Sequence, residues 1–413
     1  MRARTLMMAA ASALAVTVAA ITVFRSPSTP LSSAGSDAAT LAPARTDAAT
    51  LAPAGTGAVP LPPCQEQRSV LNVPGHAPGG PVRLLPAGAI RAIEAPAFEA
   101  PAAARTWLGG DAPVLVLRVG ADVRAYPLAI LLWHEVVNDT VGGQPVAVTY
   151  CPLCNTGTVY ARAGSGETLD LEASGKLLLG AAILRDRHSG TQWLQSTGEW
   201  AGGNRGVIDL HQLPSDQQSL DEARRAYPAL RVLSRQTGFQ KPYGTSPYGA
   251  TGRIGTLPSL FDGDLDRRLV PKTRVLGAHL GGVAYAWTYP ALRQARISER
   301  QVAGNTVLAI FRPQVGSIGD SDRLLGAPDV GSTGLFDARI GGRTLHFRSD
   351  VTGAIQDRET GSSWTNDGLA SRGPLRGSRL AVLAHLDTYW YVWASFYPDT
   401  QLWPGFPAGT CTP

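Results

Sequence analysis

Lysine is almost missing from this chain. It occurs only at Lys176, Lys241 and Lys272, so the 37 basic residues are nearly all arginine; set against 32 acidic residues they leave a formal net charge of +5. That imbalance is too small to mark nucleic acid or an acidic polymer as the partner. Cysteine is scarce too, limited to Cys64, Cys151, Cys154 and Cys411. Also missing are a Walker loop, a strand-embedded G-x-G-x-x-G, a G-x-S-x-G elbow and an H-E-x-x-H helix, because His134-Glu135 has no second histidine at the zinc spacing. Nucleotide-binding, hydrolase and metalloprotease classes are therefore disfavoured. With 44% hydrophobic and only 17% charged residues the chain is not a wholly disordered one, and its 413 residues leave room for two domains beyond an N-terminal tail.

That tail has two parts. Arg2 and Arg4 precede an uncharged stretch from Thr5 to Phe24, closed by Arg25. Made helical, such a stretch spans roughly 30 Å at about 1.5 Å per residue, enough to cross a bilayer once. Residues 1–25 are predicted to be an export element, either a retained signal anchor or a signal peptide whose Val18, Ala19 and Ala20 permit cleavage. Residues 26–63 are mostly Ala, Pro, Ser, Thr and Gly, and the run Ser36 to Arg45 is nearly repeated from Thr46 to Gly55. This composition predicts a disordered tether holding the rest off a membrane or wall, and places the folded part outside the cytoplasm.

The remainder reads as one fold written twice. Gly120, Ala125, Gly143, Val146 and Pro152 recur, at one constant offset, as Gly281, Ala286, Gly304, Val307 and Pro313. Asp186-Arg187-His188-Ser189-Gly190-Thr191-Gln192-Trp193 returns as Asp357-Arg358-Glu359-Thr360-Gly361-Ser362-Ser363-Trp364, and Tyr227-Pro228 as Tyr397-Pro398. Two tandem units are expected, 103–235 and 273–404, joined by a connector at 236–272. Runs at Val114 to Val119, Val146 to Tyr150, Thr158 to Ala161 and Leu169 to Leu171 read as half-buried strands. Leu128 to Val137 and Asp221 to Tyr227 read as helices. The expected class is α+β and β-rich, with the two units packed together. Residues shared by both copies, such as the Asp-Arg-x-x-Gly-x-x-Trp block, are expected to serve the fold: a carboxylate paired with arginine, a turn glycine, a packed indole.

Chemistry is then sought in what only one copy has. The first contains Trp133-His134-Glu135-Val136-Val137-Asn138-Asp139 and Cys151-Pro152-Leu153-Cys154; at the same offset the second has Ala295 for His134, Glu299 for Asn138, Arg300 for Asp139, Arg312 for Cys151 and Val315 for Cys154. Two residues between cysteines let the sulfurs close a small ring that opens more readily than a long-loop disulfide. A neighbouring imidazolium lowers a thiol pKa from about 8.5 toward neutrality. On a helix continuing to Val137, His134 and Asn138 share one face and face Cys151, with Asp139 beside them. The favoured reading is an exported thiol-disulfide redox protein: Cys151 attacks, Cys154 resolves, His134 moves the proton, and Asn138 and Asp139 orient it. Its partner is then a redox protein or a small thiol, with no cofactor.

Three blander readings stay open. In one the Cys151–Cys154 pair is a structural disulfide alone; in another His134, Cys151 and Cys154 make a three-ligand set for zinc or copper in a ligand-binding surface protein; in the third Cys64 and Cys411 pair across the ends of the folded region. The connector segment Lys241-Pro242-Tyr243-Gly244-Thr245-Ser246-Pro247-Tyr248 has no counterpart elsewhere, and its two tyrosines suit the wall of a binding cleft.

The run Trp133 to Gly143, the Val146 to Cys154 segment with its Cys-Pro-Leu-Cys, the Asp186-Arg187 block and Tyr243 to Tyr248 together resemble the bacterial and archaeal domain of unknown function 3179 family, over about 103 to 403. Some members of that family carry selenocysteine at a cysteine of this motif. Carried over to Cys151 or Cys154, both ordinary cysteine here, the resemblance implies redox chemistry rather than stapling. It names a relative and no reaction.

Overall fold

Short apolar runs bounded by glycine and proline make strands, and strands are most of what this chain forms. The computed structural model describes residues 79–163, 167–203, 209–258 and 260–404, all within one compact unit. The export element, the tether and the Cys64–Cys411 pair lie outside the described residues. Among the described residues no helix is long and apolar enough to cross a membrane, and the longest helices have seven residues. The architecture is α+β, dominated by several mostly antiparallel sheets.

Three sheets organise the first half. In one, the hairpin Pro113–Val119 and Asp122–Pro127 is flanked by antiparallel Ser215–Ser219 and parallel Arg231–Leu233. A second carries Val136–Val141, Gln144–Cys151, Thr156–Ala161 and Gln212–Leu213 in sequential order. The third contains Leu171–Leu178, Ala181–Asp186, Gln192–Leu194 and Trp200–Gly202. In the second half, Arg274–Leu280 and Val283–Thr288 are flanked by antiparallel Leu386–Tyr389 and parallel Gln401–Trp403. Ile297–Val302, Asn305–Arg312, Ser332–Asp337 and Ala381–Val382 follow in sequential order, as do Phe347–Ser349, Ile355–Asp357, Ser363–Trp364 and Ala370–Arg372.

The two halves meet through their outer strands. Ser215–Ser219 lies against Ser332–Asp337, while Leu386–Tyr389 lies against Thr156–Ala161. Much of this contact is polar: Thr156 donates its hydroxyl to Thr388 at 2.7 Å, Thr388 donates to the Cys154 carbonyl, and Arg312 donates to Asp216. Buried hydroxyls and amides are tolerated there because most find partners.

The helix predicted over Leu128 to Val137 stops early, at Leu128–His134. Glu135 caps it in the left-handed region, φ 55°, its N–H closing on the Leu131 carbonyl. Val136–Val141 then pairs with Gln144–Cys151 around Gly142, whose φ of +54° and contact with the Val119 carbonyl exclude a side chain. The β-branched Val136 and Val137 favour the strand. The helix and the first two strand residues are both buried and mostly apolar, so periodicity does not mark the switch. The second helix runs Leu220–Ala226, with Ser219 Oγ accepting from the Glu222 N–H as an N-cap.

The helix Leu128–His134 buries Leu128, Ile130, Leu131 and Leu132 with Val146, Val148 and Tyr150 of the sheet, each aliphatic side chain contributing about 1.5–3 kcal/mol on full burial. In the Asp-Arg-x-x-Gly-x-x-Trp blocks, Asp186 accepts from the Ser189 N–H and hydroxyl, and Asp357 likewise from Thr360. Trp193 and Trp364 are buried beside these turns. Arg187 pairs not with Asp186 but with Glu94, Asp170 and Glu172.

Candidate functional site

The strand Gln144–Cys151 ends on one cysteine, and the strand Thr156–Ala161 starts two residues past the other. Cys151 faces Thr156 across the ladder, so Pro152 to Asn155 form the hairpin connection. Asn155 takes the left-handed conformation, φ 53°, and its Oδ1 accepts from the Tyr150 hydroxyl at 3.0 Å. This turn brings the two cysteines together as a disulfide, with Cα atoms 5.6 Å apart. The motif thus sits in a β-turn and does not itself open a helix; the helix Trp390–Phe396 of the other half begins against it, with Tyr389 as its N-cap.

Both cysteines are buried, 1% and 0% exposed, among Leu177, Phe261, Tyr389, Tyr391 and Val392. The loop's carbonyls are clamped by the other half. Tyr391 donates its hydroxyl to the Leu153 oxygen at 3.0 Å, while the Cys154 oxygen accepts from the Tyr389 N–H and the Thr388 hydroxyl, both at 3.2 Å. The second half is therefore the wall of the sulfur site.

The structure does not bring His134 to the sulfurs. Successive strand residues face opposite sides of a sheet. Val148 and Tyr150 face the core that carries the helix ending at His134, whereas Cys151 belongs to the core shared with Tyr389 and Tyr391. His134 Nδ1 lies 2.7 Å from the Arg91 carbonyl oxygen and Nε2 lies 2.8 Å from the Tyr243 hydroxyl. Burial lowers the His134 pKa, the Arg91 carbonyl opposes this, and nearby Lys241 adds to it. A neutral ring fits both contacts: Nδ1–H donates to Arg91, and Nε2 accepts from Tyr243.

With the helix ended at His134, Asn138 and Asp139 sit on the next strand and point to opposite faces of it. Asn138 Nδ2 donates to Glu94, Asp170 and the Leu171 carbonyl at 2.8–3.1 Å. Both Asp139 oxygens accept from Arg124 Nη1, at 2.6 and 2.7 Å, and one of them accepts the Tyr126 hydroxyl at 2.6 Å, while Arg124 Nε and Nη2 turn to Asp122. Both side chains are engaged in architecture, away from His134. The zinc or copper set of His134, Cys151 and Cys154 is likewise not assembled, and no cluster of three or more His, Cys, Asp or Glu side chains suited to a metal occurs among the described residues.

Two features were less visible in the sequence. The connector docks both its tyrosines on adjacent residues at the helix end: Tyr243 on His134, and Tyr248 on Glu135, whose carboxylate accepts the hydroxyl at 2.6 Å. Burial pushes the Glu135 carboxyl up to about 7, with the Tyr248 bond pulling the other way. Arg312, which replaces Cys151 in the second half, is wholly buried and makes a fork of two 2.6 Å bonds to Asp216, with further bonds to the Gln217, Thr333 and Asn366 carbonyls. Burial works against its charge, but Asp216 and Glu222 more than offset that and hold the guanidinium protonated.

Neither a curated protein nor a solved structure matches this chain. A family model does, over residues 87–400, which takes in both halves, the cysteine hairpin and the connector. The chain belongs to the family described as Protein of unknown function (DUF3179).

Proposed function

We propose that this is an exported protein whose Cys151–Cys154 pair is a reversible dithiol–disulfide centre, carried by the first of two duplicated units and shielded by the second. The observation that carries the reading is the disulfide itself, closed across a four-residue β-turn against the other half. Support for the duplication comes from the matching strand order of the two halves and from the constant offset between their glycines. Support for export is the apolar stretch from Thr5 to Phe24 between arginines.

In the exchange step a thiolate of a small thiol or partner protein attacks one sulfur and breaks the S–S bond, forming a mixed disulfide and releasing the other cysteine as a thiolate. A second thiol of the reductant then attacks the mixed disulfide. The protein gains two electrons and two protons, and the reductant leaves as a disulfide. Apolar burial raises thiol pKa values and so favours the disulfide form. Attack also requires the contacts made by Tyr389 and Tyr391 to open.

Enclosure of both sulfurs favours a second reading, a cross-link that steadies the turn against the other half. Trapping separates the two. A Cys154→Ala variant leaves Cys151 to hold a mixed disulfide, and under the redox reading it captures a thiol partner from extracytoplasmic extract that reducing agent releases. Failure to capture any partner, together with a pair that cannot be reduced without unfolding, leaves the cross-link.

A further inference from the structure

A cleft of about 610 Å³ opens beside the connector, lined by Glu99, Arg235, Phe239, Lys241, Pro242 and Tyr243 among others. It lies on the His134 face of the molecule and has no part in the cysteine turn. Its floor is fixed from below. The Tyr243 hydroxyl stands between His134 Nε2 at 2.8 Å and Thr237 Oγ1 at 2.5 Å, and the His134 ring packs against Phe239 with centroids 5.1 Å apart. His134, Tyr243 and Thr237 are all buried. Held on its far side by the Arg91 carbonyl, this chain of bonds leaves the loop from Thr237 to Tyr243 little freedom, and a preformed wall spares a ligand the cost of ordering it.

The charges at the mouth are placed with similar economy. Arg235 lies over the Trp107 ring at 5.1 Å, and Lys241 over the Trp133 ring at 5.4 Å. Both cations are exposed, and among the described residues neither has a carboxylate partner, unlike Arg124, Arg187, Arg274 and Arg312. Stacking on an indole holds a cation in place without neutralising it. Glu99, the one acid on the wall, accepts the Trp107 indole N–H at 2.8 Å, so two positive charges face one negative. The volume is in the range of small-molecule sites.

We propose that this cleft binds a small organic anion, its acidic group held by Arg235 and Lys241 and its flat apolar body laid against Phe239, Pro242 and Tyr243. A carboxylate and a phosphate ester both meet this requirement, since each accepts from a guanidinium and an ammonium. The site is independent of Cys151 and Cys154 and stands or falls apart from the redox reading.

Calorimetric titration of the full chain with benzoate, phenyl phosphate and neutral benzamide tests it. Saturable one-to-one binding is expected for at least one of the two anions and not for benzamide, weakening as salt is added. Which anion binds tighter identifies the acidic group. Arg235→Ala and Lys241→Ala should each weaken it about threefold to tenfold while leaving the melting temperature unchanged, since both side chains are exposed. Tyr243→Phe keeps the ring and should leave the anion's charge contacts intact. Absence of saturable binding by both anions, equal binding of benzamide, or indifference to both alanine variants overturns the proposal.

Discussion

The strand Gln144–Cys151 in the first half and Asn305–Arg312 in the second end at positions the sequence places at one offset, yet each solves the same problem with different chemistry. One ends in a sulfur that closes a disulfide beneath Leu386–Tyr389; the other ends in a buried guanidinium that grips Asp216 on Ser215–Ser219. Both strand ends therefore reach across to the opposite half. The same contrast recurs at the helix ends. Glu135 and Arg296 both cap a seven-residue helix with positive φ, but the acid is covered by Tyr248 whereas the arginine lies partly exposed beside Phe311. Where the first half has a disulfide, the second has a charge that cannot be left unpaired.

The ionic lock should prove the more costly to break. Asp216→Ala strands the Arg312 charge in the interior and is expected to lower unfolding free energy by about 3–5 kcal/mol, read by urea titration. Replacing the pair together, Arg312→Met with Asp216→Leu, should recover most of that loss. A double variant as unstable as Asp216→Ala would show that the bonds to Gln217, Thr333 and Asn366, and not the ion pair, hold this end.

At the helix ends the contrast becomes one of pH. Glu135 folds with its pKa raised to about 7, so the unfolded chain gives up this proton at lower pH than the folded one. The resulting destabilisation is absent below the ordinary carboxyl value, grows as pH rises toward 7 and is then constant, reaching about 3 kcal/mol. Stability measured from pH 4.5 to 8 should fall in wild type and fall less in Glu135→Gln. Parallel curves would remove Glu135 from the account of this end.

Cutting the covalent lock should cost less. The bond closes a loop of only a few residues, a constraint worth about 2 kcal/mol on the chain-entropy scale, so Cys151→Ser with Cys154→Ser should fold and melt a little lower. A loss as large as that of Asp216→Ala would mean that the disulfide holds far more of the interface than its own turn. A lesser effect is expected for Tyr243→Phe, about 1–2 kcal/mol, from a His134 nitrogen left without its donor. In Thr237→Val the phenol still reaches His134, so a smaller change should follow.

The halves differ in how readable they are for the same reason. Strands such as Pro113–Val119 and Thr156–Ala161 are legible because alternation and flanking turns are local, and the cysteine pair is legible because its partners are three residues apart. The His134 assignment depended on where a helix stops, and the apolar run through Val136 and Val137 hides that boundary. Carried one turn too far, the helix placed Asn138 on the histidine's face and Asp139 beside it when both belong to a strand. Arg312 reads in sequence as a cysteine lost, since its partner Asp216 lies 96 residues away. Pairings at such distances leave no periodic trace. The tyrosines of the connector stood out, but which of His134 and Glu135 each would meet is set by packing alone.

Under the proposed redox role, the first half's disulfide opens and closes while the fold stays intact. The most direct test is the rate at which a small thiol reduces Cys151–Cys154, followed by alkylation of the freed cysteines across a series of urea concentrations below the unfolding transition. Reduction through local opening at the Tyr389 and Tyr391 wall should proceed at a rate nearly independent of urea and leave the protein folded. A rate that climbs with urea in parallel with global unfolding would contradict the claim and leave a buried cross-link.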